Sequence, residues 1–130
     1  IKFQAGMLDK KLLNYELKKA DNVVMCLGFD SNIESEGFDR PFALPYGQEF
    51  LIDEVTKVHN NVITVINSGG GIDFRNWRNK VKAILMAWYP GQEGGKAIAE
   101  ILTGKISPKW EITYFYRRKM GRQSYIQQLL

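Results

Sequence analysis

With one cysteine and one histidine in 130 residues, the chain has neither a disulfide framework nor a thiol cluster for metal. Cys26 lies inside an apolar run, where buried packing is its expected role. The lone His59 excludes a zinc site built on several histidines and any Ser/His/Asp arrangement that does not use it. Its place after a helical stretch suits a helix-end surface residue, so no metal and no cofactor are expected. No apolar run approaches the roughly 18 residues that a spanning helix needs, which makes a membrane an unexpected partner. A basic-then-apolar leader is also missing: the chain opens Ile1-Lys2-Phe3, so an export signal is expected to have been removed or to belong to a longer parent, and the compartment stays unread. No internal repeat and no low-complexity tract is present.

A chain of this length supports one core and not two ordinary domains. Its 45% hydrophobic and 25% charged residues fit a globular domain. The formal charge of +4 invites a nucleic-acid reading, but the charge is unevenly placed. Residues 1–104 hold 12 Lys/Arg against 13 Asp/Glu, whereas residues 105–130 hold 6 against 1. The basicity belongs to the tail, and nucleic acid is not an expected partner of the domain.

Strand-like and helix-like patterns alternate. Ile1–Phe3 is a short strand candidate, and Asp9 can cap a helix from about Lys10 to Lys19 with Leu13, Leu17 and Ala20 on one face. Val23–Gly28 is a continuous apolar run, the pattern of a parallel strand covered on both faces. Leu51, Val55 and Val58 recur at helical spacing within Gly47–Val58, and Val62–Ile66 is β-branched enough for a second strand. A short helix is expected around Asp73–Lys80, a third strand over Ala83–Trp88, and a last helix ending near Gly104. The alternation predicts an α/β fold, a three-layer α/β/α sandwich with a mostly parallel sheet, right-handed crossovers and flavodoxin-like topology.

Ligands of such sheets gather beyond the carboxyl ends of the strands, which directs attention to the loops after Gly28, Asn67 and Trp88. The first is far longer than an ordinary strand-to-helix connection and carries Asp30, Glu34, Glu36, Asp39 and Arg40. It reads either as a working loop or as a solvated acidic one in which Asp39 and Arg40 pair. Glu34 and Glu36 stand two apart and would point to opposite sides of an extended chain, so together they make a poor two-carboxylate site; one of them could serve beside a carboxylate from elsewhere. Gly69-Gly70-Gly71 lacks the spacing of a dinucleotide fingerprint or a P-loop and reads as a tight turn. Trp88-Tyr89-Pro90-Gly91 offers either an aromatic for sugar stacking or rings for the domain's own core.

Glu34-Ser35-Glu36-Gly37-Phe38-Asp39-Arg40, then Leu44-Pro45 with Gln48 opening a helix, then Trp88-Tyr89-Pro90-Gly91-Gln92-Glu93-Gly94-Gly95 resemble, in order and spacing, the α/β sandwich domain of family 3 glycoside hydrolases of the β-glucosidase type. The likeness runs from Ala20 to about Pro108 and takes in Gly69-Gly70, Trp77 and the Ala97–Gly104 helix. What it implies is a retaining mechanism, with an aspartate nucleophile on a preceding barrel domain and a glutamate acid/base on a sandwich loop. The matching glutamate is Glu36, which precedes Gly37-Phe38-Asp39-Arg40, with Glu34 second; Asp39 and Arg40 would shape the loop. The implied substrate is a β-linked glucoside or oligosaccharide of the full-length parent, in the periplasm or outside the cell, and without the barrel the chain is expected to turn over nothing. The competing expectation is a non-catalytic carbohydrate-binding or assembly module.

The likeness fails after Pro108, dividing the chain into a domain over residues 1–108 and an atypical basic tail over residues 109–130. Similar proteins continue with a segment like Ser-Gly-Lys-Leu-Pro-Ile-Ser. One permitted codon choice for Lys109–Arg122, read from one base further on, gives Ser-Gly-Lys-Leu-Pro-Ile-Ser-Ile-Glu-Glu-Lys-Trp-Glu, so a shifted reading frame is expected there. As translated, Trp110, Ile112, Tyr114 and Tyr116 alternate like a strand that would join a sheet edge or a second copy of the chain.

Overall fold

The computed structural model describes residues 9–37, 39–45 and 47–107. The strand expected at Ile1–Phe3, Phe38 of the loop motif, and the tail from Lys109 lie outside the described residues.

The first helix, α1 (Lys10–Leu17), begins where the Asp9 carboxylate accepts from the backbone N–H groups of Lys11 and Leu12 at 2.9 and 3.2 Å, two donors that an uncapped helix would leave unpaired. It buries Leu13 and Leu17, one turn apart. Strand β1 (Val23–Gly28) follows, then the long loop, then α2 (Gln48–Thr56), β2 (Val62–Asn67), β3 (Ala83–Met86) and α3 (Gly94–Leu102). The three strands form a parallel sheet in the order β1-β2-β3, with Met25 beside Thr64, Leu27 beside Ile66 and Ile66 beside Met86. This is the α/β sandwich architecture that the alternation implies, and the described strands follow one another in a single direction.

One face of the sheet carries the main core. Met25 and Leu27 of β1 and Val62 and Ile66 of β2 cluster with Leu13 and Leu17 of α1, Ile52 and Val55 of α2, and Phe29, Leu44, Ile72 and Trp77 from the connecting segments. Helix α2 thus buries Ile52 and Val55, while Leu51 and Val58 pack half-buried against the same cluster. On the opposite face Val65, Ala83 and Leu85 are buried, but over β1 that face is bare: Val24 is 45% exposed and Cys26 is exposed. Both the buried role expected of Cys26 and two-sided coverage of β1 are therefore corrected. The strand alternates, with Met25 and Leu27 inward, because among the described residues only one side of it meets helices.

Two further boundaries move. A single 3₁₀ turn at Arg78–Lys80 replaces the helix expected around Asp73–Lys80. The Asp73 carboxylate takes the Arg75 backbone N–H at 3.1 Å and its guanidinium at 2.5–3.1 Å, a local arrangement that competes with helical pairing. Strand β3 stops at Met86, two residues before Trp88, which has φ 55° and cannot continue a sheet. At the far end Gly104, with φ 73°, closes α3 in the left-handed conformation that glycine adopts freely.

Candidate active-site half

The carboxyl ends of the three strands carry the loops that matter. At the end of β1, Gly28 has φ 147°, and a Cβ there would lie 2.0 Å from the Asn67 carbonyl oxygen, so only glycine lets β1 and β2 finish side by side. The ladder is prolonged by a side chain: the Gly28 N–H donates to Gln48 Oε1 at 2.8 Å, and Gln48 Nε2 donates to the Gly28 carbonyl at 2.7 Å. Gln48, the first residue of α2, behaves here as an extra peptide group that seats the helix on the strand end. An open depression of about 310 Å³ lies over this junction, lined among others by Phe29, Asp30, Ile33, Pro45, Gln48 and Asn67.

Beside it, Glu34 gathers donors from all three loops. Its Oε1 accepts from Arg40 Nε at 2.5 Å, and its Oε2 accepts from the Gly69 backbone N–H at 2.8 Å and from the Tyr89 hydroxyl. Arg40 is equally committed. One terminal nitrogen donates to Ser68 Oγ at 2.8 Å and to the Gly71 carbonyl at 3.1 Å, the other to the Pro41 carbonyl at 3.2 Å, and its plane lies 4.1 Å from the Phe29 ring centre. The Arg40 side chain is 11% exposed and that of Glu34 16%, so the ion pair sits in a poorly solvated setting.

Burial pushes the Glu34 carboxyl up, but the hydrogen bonds from Tyr89, the Gly69 N–H and Arg40, together with the Arg40 charge, outweigh it and hold the group below the ordinary glutamate range. Tyr89 moves the other way: its hydrogen bond to Glu34, with burial and the carboxylate charge, raises the phenol above its usual value. An ionised carboxylate with both oxygens occupied has no proton to give.

Glu36 is placed differently. It is exposed and among the described residues has no hydrogen-bond or ion-pair partner; Asp39 is exposed as well. Of the two readings of this loop, the one that paired Arg40 with Asp39 is overturned, because the partner of Arg40 is Glu34, six residues away. The glycine run is a tight turn whose first N–H is taken by Glu34. Trp88 is half-buried and Tyr89 is 56% exposed with its hydroxyl on Glu34, a link that no local pattern reveals. His59 follows α2, with Nε2 2.9 Å from the Ala20 carbonyl and Nδ1 accepting from the Asn61 N–H, a structural tie at the opposite end of the sheet. Among the described residues no cluster of His, Cys, Asp and Glu could hold a metal ion, and no helix is long and apolar enough to cross a membrane.

Residues 11–128 match the family described as the glycosyl hydrolase family 3 C-terminal domain, a span that runs past Pro108. A probable beta-glucosidase J of Aspergillus fumigatus is 40% identical over 105 residues, 80% of this chain and 12% of the relative. An exo-alpha-(1->6)-L-arabinopyranosidase of Bifidobacterium longum is 38% identical over 96 residues, 73% of this chain and 13% of the relative. The crystal structure of a beta-glucosidase from Kluyveromyces marxianus in complex with glucose superposes with a TM-score of 0.78 at 30% identity, over 89% of this chain and 14% of that one. The chain thus spans about an eighth of the curated relatives it matches.

Proposed function

The chain belongs to glycoside hydrolase family 3, within its C-terminal domain, and on that premise we propose that it supplies the acid/base glutamate of a retaining β-glucosidase-type hydrolase, with Glu36 in that role. The observation that carries the assignment is the division of labour between two neighbouring carboxylates: Glu34 is ionised and fully engaged, while Glu36 is exposed and unengaged at the same end of the sheet. In the first step the protonated Glu36 gives its proton to the glycosidic oxygen as an aspartate on a barrel domain attacks the anomeric carbon and the aglycone leaves. In the second the Glu36 carboxylate takes a proton from water, which attacks the glycosyl–aspartate and restores both groups. The substrate class is a β-linked glucoside.

The test is hydrolysis of aryl and alkyl β-glucosides by the 130-residue chain alone and by the Kluyveromyces marxianus enzyme with its matching segment replaced by this one. The chain alone is expected to be inactive. In the hybrid, Glu36→Gln is expected to lower kcat/KM on alkyl glucosides by about 10²–10⁴-fold. Full activity of that variant, or turnover by the isolated chain that the variant abolishes, would overturn the assignment.

A further inference from the structure

Glu36 lies two residues after one member of the Glu34–Arg40 ion pair and four before the other, so the pair closes the chain between them into a ring. This ring is not free to drift. Arg40 rests on Phe29 at the end of β1 and donates to Ser68 and Gly71 beyond β2, and Glu34 accepts from Gly69 beyond β2 and from Tyr89 beyond β3. The contacts therefore refer one short loop to all three strand ends.

We propose that Glu34, Arg40 and Tyr89 are positioning residues that staple the loop carrying Glu36 and hold its carboxyl where a glycosidic oxygen can take the proton; this rests on the acid/base role of Glu36. Proton transfer requires heavy atoms within hydrogen-bond reach, and a loop free at one end would spread the carboxyl over far more space than that. Two further features fit a staple. Trp88, the one non-glycine residue with positive φ among those described, adopts a costly left-handed conformation immediately before Tyr89, whose hydroxyl then meets Glu34. A Cβ on Gly69 would come within 3.0 Å of the Tyr89 ring and 3.4 Å of Glu34 Oε1, so the turn after β2 closes tightly against the pair.

The mildest probe is Tyr89→Phe, which keeps the half-exposed ring and removes one donor; Arg40→Lys keeps the charge and removes the fork. In the hybrid enzyme, kcat/KM is compared for an alkyl β-glucoside, whose leaving group needs a proton, and for 2,4-dinitrophenyl β-glucoside, whose leaving group does not. Tyr89→Phe is expected to cost about tenfold or more on the first and less than about threefold on the second, as displacement of an acid predicts. Equal losses on both, the signature of a general structural defect, would overturn the staple, as would no loss on either. Glu36→Gln on the same two substrates separates the two readings: without selective loss there, the acid/base role fails; with it, and none for Tyr89→Phe, only the staple fails. In the 130-residue chain, the backbone order parameter at Gly37 is expected near about 0.85 and to fall below about 0.6 in Arg40→Lys. An unchanged value would also count against it.

Discussion

Glu34 and Tyr89 share one hydrogen bond that moves their proton affinities apart, and each then makes stability depend on pH in its own range. Burial raises the Glu34 value, but the Tyr89, Gly69 and Arg40 contacts prevail, leaving it below the ordinary 4.5. A carboxyl depressed in the folded state stabilises fully above its unfolded value, and that contribution is lost as pH falls through the folded one. For Tyr89 the sign reverses: the hydrogen bond to Glu34 raises the phenol above 10.0, so its contribution is complete below pH 10 and lost as pH rises through the folded value. Glu34→Gln is therefore expected to cost about 1.5–3 kcal/mol at pH 7, the range for hydrogen bonds to a charged group, with the gap to the native chain shrinking as pH drops below about 4.5. Urea unfolding midpoints between pH 3 and 8 would check this; a constant gap would mean that the carboxylate charge contributes nothing.

Strand β1 places opposite environments on neighbouring residues. Leu27 is 7% exposed in the main core, and Cys26 faces away from it. Leu27→Ala is expected to cost about 2–5 kcal/mol, while Cys26→Ser should stay within about 0.5 kcal/mol, as at an exposed site. Thermal or urea unfolding of the two variants would decide, and a large loss from Cys26→Ser would mean that this face is covered. β1 is legible as a strand because the unbroken apolar run from Val23 to Phe29, between Asn22 and Asp30, admits little else, but such a run cannot say which face its neighbours reach. β2 was legible for the same reason, and α1 because Asp9 is a capping residue in the right place. The helix over Asp73–Lys80 failed because Asp73 captured Arg75, a choice between two local bonding patterns that periodicity does not weigh. At the site, the long charged loop was visible, and likeness to a family singled out Glu36. The pairing of Arg40 with Glu34 and the reach of Tyr89 across 55 residues depend on where the strand ends meet, which no local rule contains.

On the scale of the whole molecule, charge is unevenly placed along the chain. Through Ser107 the chain holds 13 Lys/Arg and 13 Asp/Glu, so all of the net +4 arises beyond it. A polyanion binds through released counterions, with a salt dependence that scales with the number of cations engaged. Any affinity for heparin or nucleic acid should therefore belong to residues 108–130 and vanish from a chain ending at Ser107. Retention of the full chain and the shortened chain on heparin at two salt concentrations measures this directly. The expected result is a salt-sensitive delay for the full chain and none for the short one. Equal retention would place a cationic surface on the sandwich itself, where the arrangement found instead commits Arg40 to Glu34, Arg75 to Asp73 and Lys80 to Asp53. The shifted frame that would turn the tail into Ser-Gly-Lys-Leu-Pro-Ile-Ser is tested by sequencing the codons around Pro108: a one-base shift is the expected result, and a continuous frame there would return the tail's charge to the protein's own chemistry.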